Sequence, residues 1–200
     1  MGKIIIGIDE VGRGCLAGPV VVAALALPKN FKFKISNLKL KLRDSKKLSL
    51  RQREDWFQYI KKLSLFYRIA VVSEKVIDKI NISQAANLAA TRAFKKLITN
   101  YKLRTTNLNI YLDGGLYLNK LQTINYKPQT IIRGDEKIPA ISLASIVAKV
   151  YRDNLMKKIH KKYPQYGFIN NVGYGTKRHI KAIKKFGYSP IHRKSFKITL

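Results

Sequence analysis

Apolar runs along the chain predict a small number of strands. Residues 3–9 are apolar at nearly every position, which is typical of a strand covered on both faces. Residues 20–27 form a second run, rich in valine and alanine. The link between these two runs is short, so we expect antiparallel pairing, because a parallel return needs a longer crossover. Further strands are predicted at residues 65–72, 107–112 and 130–132.

Helix signals lie between and after these strands. Ser49, with Gln52 three residues later, matches a capping box, in which each side chain bonds the other residue's backbone. Thr176 can cap the last helix, and Gly187 is typical of a helix end. We predict four helices, over residues 49–62, 81–100, 141–161 and 177–186. Strands followed by alternating helices and strands indicate an α/β fold with a mixed sheet.

Acidic residues are scarce, and four of them lie where predicted strands end. The chain has 11 acidic residues against 40 lysines and arginines. Asp9 and Glu10 follow the first strand, Asp113 ends a later one, and Asp135 comes after the last. Parallel strands place their carboxyl ends at one edge of a sheet, so these carboxylates can converge there. The alternative is a set of ordinary acids that cap loops or pair with lysines.

A convergent group of carboxylates favours particular metal ions. Carboxylate oxygens without histidine or cysteine partners suit Mg²⁺ or Mn²⁺ better than Zn²⁺. Cys15 is the only cysteine, which excludes an internal disulfide and a cysteine cluster for zinc. Two such ions, about 3.5–4 Å apart, can activate a water and stabilise the leaving oxygen in phosphodiester hydrolysis.

The charge of the chain narrows the class of partner. A net charge of +29 favours a polyanion, with nucleic acid ahead of a membrane surface, although biased genome composition is an alternative source. The first apolar run meets Asp9 and Glu10 too soon for a signal peptide. The longest apolar stretch, residues 15–28, is too short to span a bilayer. We therefore expect a cytoplasmic protein without a membrane partner.

Short motifs along the whole chain form an ordered set. Residues 9–14 read DEVGRG, and residues 44–48 read DSKKL. The other matches are LDG at 112–114, GD at 134–135, SLASIVAKVYRD at 142–153, GYGT at 173–176 and HRKSF at 192–196. In this order the motifs resemble bacterial ribonuclease HII, within the type 2 ribonuclease H family, and the ordered set is much more specific than any one match.

The resemblance implies an RNase H-like fold, with a mixed central sheet flanked by helices, in a single catalytic domain over residues 1–200. Within it, about residues 161–200 are expected to form a helical C-terminal extension. The implied activity is cleavage of the RNA strand of RNA–DNA hybrids and cutting 5′ to a single ribonucleotide in duplex DNA. The products carry 3′-hydroxyl and 5′-phosphate ends. We expect a monomer that acts on these duplexes with two Mn²⁺ or Mg²⁺ ions.

The resemblance also implies roles for individual residues. The family's catalytic metal ligands match Asp9, Glu10, Asp113 and Asp135. The family's loop that senses the ribose 2′-hydroxyl matches Gly12, Arg13 and Gly14. Tyr174 matches the aromatic residue that stacks on the deoxyribose beyond the cut, and Lys46 and Lys47 resemble phosphate-contacting positions.

Several of these residues have ordinary alternatives. The Gly-Arg-Gly segment is also compatible with a simple turn, and the lysines with a solvated basic run. Lys149 and Arg152 on the long helix can contact a phosphate or pair with Asp153. His179 suits local packing. His192 and Ser195 lack an evident third partner, so we reject a nucleophilic pair.

Two other functions compete with the ribonuclease. A basic RNA-binding protein without catalysis would bind in a salt-sensitive way, but it gives no reason for acids at three strand ends. Another nuclease of the same fold would be indifferent to a 2′-hydroxyl.

Overall fold

The computed structural model describes residues 3–31, 48–103, 108–119 and 127–197. Within these ranges, one sheet is formed by β1 (Ile4–Val11), β2 (Val20–Pro28), β3 (Phe66–Val72), β4 (Leu108–Asp113) and β5 (Gln129–Ile131). The strand order is β3-β2-β1-β4-β5. β2 runs antiparallel to both β1 and β3, whereas β1, β4 and β5 are parallel to one another. The sheet is therefore mixed, and β1, β4 and β5 end at the same edge.

Helices cover both faces of this sheet. In the described ranges they are α1 (Leu50–Lys62), α2 (Glu74–Ile80), α3 (Ile82–Asn100), α4 (Gly134–Lys137), α5 (Pro139–Lys162), α6 (Phe168–Asn171) and α7 (Lys177–Phe186). A single 3₁₀ turn, Pro164–Tyr166, lies between α5 and α6.

The alternation of side chains along the strands builds two cores. β2 is buried at every position except Pro28, because helices pack on both of its faces. Successive residues of a strand point to opposite faces. Val22 therefore packs in one core with Phe94 of α3, and Val21 packs in the other with Trp56 of α1 and with side chains of α5.

A glycine in β1 lets α5 cross the sheet at close range. A Cβ added at Gly7 would lie 2.1 Å from the backbone carbon of Ala140, at the start of α5. Any larger residue would force the helix away from the strand. The first turns of α5 are thereby held next to the end of β1, where Asp9 and Glu10 lie.

Most of the elements predicted from the sequence are confirmed. Both bonds of the Ser49–Gln52 capping box are present, and Thr176 caps α7, which ends at Phe186 before Gly187. α2 was not predicted. The expectation that a strand ends at Asp135 is wrong, because β5 ends at Ile131 and Asp135 belongs to the short helix α4.

The C-terminal elements pack on the end of α5. Met156 of α5, Phe168 of α6 and Ile183 of α7 share a third apolar cluster with Ala17, from the loop after β1. This cluster ties the C-terminal helices to the loop that follows the two acids. None of the helices in the described ranges is both long and apolar enough to cross a membrane.

Candidate active site

Three carboxylates converge at the carboxyl end of the parallel strands. Asp9 and Glu10 lie near the end of β1, and Asp113 ends the neighbouring strand β4. One oxygen from each can be chosen so that all lie within 4.8 Å of one another. We call these three residues the carboxylate cluster. Asp9 is buried, and the side chain of Glu10 is only 10% exposed.

Burial makes negative charge costly in this cluster. Desolvation, followed by the nearby charge of Glu10, raises the pKa of Asp9 well above its ordinary value, and the ammonium of Lys149 opposes this shift. Desolvation also raises the pKa of Glu10, against the opposing charge of Arg13. Closely spaced buried carboxylates of this kind are stabilised when cations bind between them.

The donor set fits a hard divalent ion. Oε2 of Glu10 is buried without a hydrogen-bond partner among the described residues. An unsatisfied buried carboxylate oxygen is expensive unless a cation or a hydrogen bond compensates it. All three side chains in the cluster offer oxygen, the ligand atom that Mg²⁺ and Mn²⁺ prefer.

Asp135 follows a residue that contacts the cluster, but its carboxylate is not one of the group of mutually close oxygens. Gly134 directly precedes Asp135. Its backbone N–H donates a 2.7 Å hydrogen bond to Oδ1 of Asp113. The buried Asp135 is held through its own carbonyl, which accepts from the hydroxyl of Ser142. In the part of the chain that the structure describes, the group of mutually close ligand atoms does not include Asp135. Its role as a fourth ligand stays a prediction.

The Gly-Arg-Gly loop (residues 12–14) follows the cluster directly. Gly12 has φ of +92°, in the region that favours glycine, and a Cβ there would lie 2.4 Å from Nε of Arg152. Gly14 is exposed, with no heavy atom within 4 Å of an added Cβ. Arg13 turns back towards the cluster, and its Nη1 lies 3.3 Å from Oε1 of Glu10. Its guanidinium also donates to the hydroxyl of Ser83 at the start of α3.

Two fully buried arginines hold this loop and the segments beside it. Arg193 donates three hydrogen bonds of 2.6–2.9 Å, to the carbonyls of Gly12, Arg13 and Gly18. Arg152 donates to the carbonyls of Ala17, Pro19 and Val172, at 2.8–3.1 Å. Burial lowers the pKa of Arg193 to about 10, which leaves it charged at neutral pH.

These arginines correct one expectation and add another residue to the site. Arg152 pairs with backbone carbonyls, whereas Asp153 pairs with Arg53 at 3.5 Å. Arg193 lies within the HRKSF match but has no predicted role of its own. For Arg152, helical periodicity carried a usable signal: it lies four residues after Ala148 and seven after Ser145, on the buried face of α5.

Tyr174 shares a cavity with the cluster and the loop. The cavity has a volume of about 310 Å³ and is lined by the carboxylate cluster, residues 11–14, Lys149 and Tyr174. Tyr174 is 43% exposed. Burial, reinforced by the neighbouring Cys15, raises the pKa of Tyr174 to about 12, so its hydroxyl stays protonated at neutral pH.

The remaining candidates fall in different places. Lys46 and Lys47 lie outside the described residues. Ser195 donates its hydroxyl to Asp78, whereas His192 bonds to Ser189 and to His179, so the two candidates of the rejected nucleophilic pair have different partners.

Comparison with known proteins gives one consistent family. The family model described as Ribonuclease HII matches residues 6–199. A ribonuclease HII from Pelagibacter ubique is 46% identical over 195 residues, which is 97% of this chain and 96% of that protein. One from Ruminiclostridium cellulolyticum is 47% identical over 192 residues, covering 96% of this chain and 69% of that protein. The crystal structure of ribonuclease H2 from Pyrococcus horikoshii superposes with a TM-score of 0.72 at 26% identity, covering 97% and 94% of the two chains.

Proposed function

The chain belongs to the ribonuclease HII family of ribonuclease H endonucleases, and we propose that it acts on ribonucleotides within duplexes. Its substrates are RNA–DNA hybrids, in which it cleaves the RNA strand, and duplex DNA with an embedded ribonucleotide, which it cuts on the 5′ side. The products carry 3′-hydroxyl and 5′-phosphate ends. One observation carries this proposal: the carboxylate cluster, the Gly-Arg-Gly loop and Tyr174 line the same cavity.

The proposed cofactor is a pair of Mg²⁺ or Mn²⁺ ions. The carboxylate cluster offers their ligands, and Asp135 is proposed as a fourth. When bound, such ions supply an activated water and charge stabilisation for the leaving oxygen. The raised pKa values of Asp9 and Glu10 mean that these groups hold protons more readily in the metal-free protein. Metal affinity should therefore increase with pH.

The Gly-Arg-Gly loop is proposed to recognise the ribose 2′-hydroxyl. This group is what distinguishes RNA from DNA at a given position. The open space beside Gly14 allows a sugar to approach the backbone closely, which a larger side chain would prevent. Arg193 already donates hydrogen bonds to the carbonyls of Gly12 and Arg13, so the backbone conformation of the loop is fixed before the substrate binds.

The rest of the surface is proposed to bind the duplex backbone. Tyr174 is proposed to stack on the deoxyribose beyond the cut, and its exposed ring at the border of the cavity supports this role. Lys46 and Lys47 are proposed phosphate contacts.

We propose a monomer that acts in the cytoplasm. It has one catalytic domain, residues 1–200, of which about residues 161–200 form a helical extension.

A pair of labelled duplexes tests this function. One is DNA with a single ribonucleotide, the other is its all-DNA twin, and each is incubated with Mg²⁺, Mn²⁺ or EDTA. We expect metal-dependent cutting 5′ to the ribonucleotide and an intact twin. Cutting of both duplexes would indicate a general nuclease, and binding without cutting under either metal would indicate a binding protein.

A further inference from the structure

A chain of buried hydrogen bonds runs through two histidines to the backbone of Tyr174. His179 and His192 are 0% and 2% exposed, and their Nε2 atoms lie 3.0 Å apart. Nδ1 of His192 lies 2.9 Å from the backbone nitrogen of Ser189 and 2.7 Å from its hydroxyl. Nδ1 of His179 lies 2.8 Å from the carbonyl oxygen of Tyr174. We call His179 and His192 the histidine pair.

The partners at the two ends determine where the protons are. A backbone N–H can only donate, so Nδ1 of His192 accepts from Ser189 and carries no proton. A carbonyl oxygen can only accept, so Nδ1 of His179 carries a proton and donates to Tyr174. With both rings neutral, Nε2–H of His192 donates to the bare Nε2 of His179. Every ring nitrogen in the pair then has a partner of the right kind.

Aromatic side chains enclose the histidine pair and hold both rings. The ring of Tyr166 lies 4.8 Å from that of His192 in an edge-on arrangement. The ring of Phe168 lies 5.3 Å from that of His179, also edge-on. In such an apolar surrounding, a broken hydrogen bond is not replaced by water at low cost. The series of hydrogen bonds from Ser189 to Tyr174 therefore has one favourable arrangement.

We propose that the histidine pair positions Tyr174 in the cavity of the carboxylate cluster. The inference rests on the proposed function, in which Tyr174 contacts the sugar of the substrate. The Tyr174 hydroxyl interacts with Cys15, and the position of the ring in the cavity also depends on the backbone from which it extends. That backbone donates to the carbonyl of Asn171, and its carbonyl accepts from both Thr176 and His179.

The same pair is joined to the loop on the other side of the cavity. His192 pairs with Ala17 in an antiparallel bridge, and the next residue, Arg193, holds the Gly-Arg-Gly loop. The backbone N–H of Gly18 also donates to the carbonyl of Ile191, at 2.8 Å. The histidine pair thus joins the two proposed substrate-reading elements into one unit. Its loss should weaken substrate binding more than the chemical step.

A double-mutant cycle separates positioning from general stability. His179→Leu removes the donor to Tyr174 with little change of volume, whereas His179→Asn keeps an N–H donor where Nδ1 lies. On the one-ribonucleotide duplex we expect His179→Leu to lower kcat/KM about tenfold, mainly through KM, and His179→Asn to recover most of the loss. In a Tyr174→Ala background, His179→Leu should lower kcat/KM much less than it does in the unchanged protein. Fully additive losses, or no rescue by asparagine, would overturn the proposal; His160→Leu, on α5, is the control.

A second measurement needs no substrate and keeps the hydrogen-bond chain testable by itself. In ¹⁵N NMR of the metal-free protein, we expect the Nδ1–H tautomer for His179, the Nε2–H tautomer for His192, and a scalar coupling between their Nε2 atoms. The same tautomer in both rings, or no coupling, would overturn the proposal. If the coupling is present but the protein leaves the ribonucleotide duplex uncut, the proposed function has failed and the histidine chain has not.

Discussion

The Gly-Arg-Gly loop takes its shape from two buried guanidinium groups. Arg193 and Arg152 together donate to six backbone carbonyls around the loop and the segments beside it. A buried carbonyl without a donor is costly, and a rigid fork of donors serves several carbonyls at once in a way that a single ammonium cannot. The local backbone therefore depends on residues that are distant in sequence.

Arg193→Lys should damage both stability and activity. The substitution keeps the charge but loses the fork, so at least one of three carbonyls loses its donor. We expect the free energy of unfolding in urea to fall by about 2–4 kcal/mol. We also expect kcat/KM on the ribonucleotide duplex to fall more than about tenfold, because the loop shifts. Lys194→Arg, at the exposed neighbouring position, should change neither quantity.

The two glycines of the loop should respond differently to alanine. Gly12→Ala puts a Cβ 2.4 Å from Arg152 at a positive φ, so we expect a substantial loss of thermal stability. Gly14→Ala meets open space, so its Tm should stay close to the original. If the loop backbone approaches the ribose, Gly14→Ala should still raise KM for the ribonucleotide duplex. Unchanged kinetics for Gly14→Ala would contradict that role.

At the scale of helices and strands, local sequence signals predict most of the elements. Long-range contacts determine the features that those signals do not reveal. The Ser49–Gln52 box and the apolar alternation of β2 act within a few residues, so the sequence reveals them. α2 has only seven residues and no side-chain cap bond, which leaves a weak local signal. The place of Asp135 depends on how α4 packs against the end of β4 and on its bond to Ser142. No local pattern encodes those contacts.

The burial of the histidine pair, of which His179 belongs to α7, predicts that the folded protein loses stability in mild acid. Burial lowers the pKa of both histidines in the pair, and the charge of His179 helps to lower that of His192 to about 4. In the unfolded chain both titrate near 6.5. The unfolded state therefore binds more protons between these values, so stability is fully present above about pH 6.5 and is lost as pH falls towards 4.

Urea unfolding at several pH values, in EDTA, measures this effect. The loss attributable to His192 should be on the order of 2–3 kcal/mol between pH 7 and pH 4. The raised pKa values of Asp9 and Glu10 act in the opposite direction, because those groups gain protons more readily when folded. The comparison is therefore with His192→Gln, which should be less stable at pH 7 and show a flatter pH dependence. Parallel curves would contradict the assignment.

The molecule as a whole carries the charge expected of a nucleic-acid enzyme. Its net charge is +29, yet the carboxylate cluster concentrates three of its 11 acidic residues in one place. The basic surface can provide affinity for any duplex, while the cluster and the loop beside it act at one position. We therefore expect duplex affinity to depend on the basic surface, and selectivity for a ribonucleotide to depend on the carboxylate cluster and the loop.

Salt should weaken duplex binding without changing the preference for the ribonucleotide duplex over its all-DNA twin. Raising salt from about 50 to about 200 mM should lower duplex affinity at least about tenfold, because phosphate contacts release counterions. The slope should be similar for the ribonucleotide duplex and its all-DNA twin, measured by fluorescence anisotropy in EDTA. A slope near zero would show that the basic surface does not bind the phosphate backbone.

The most direct test of the central claim compares Asp9→Asn with the unchanged protein on the one-ribonucleotide duplex. The substitution keeps the size of the side chain in the carboxylate cluster and removes its charge. We predict that cleavage in Mg²⁺ or Mn²⁺ is abolished, while the Kd for the duplex in EDTA changes less than about threefold. Asp55→Asn, on the exposed face of α1, should cut normally. Normal turnover by Asp9→Asn with lost affinity would contradict a catalytic carboxylate cluster.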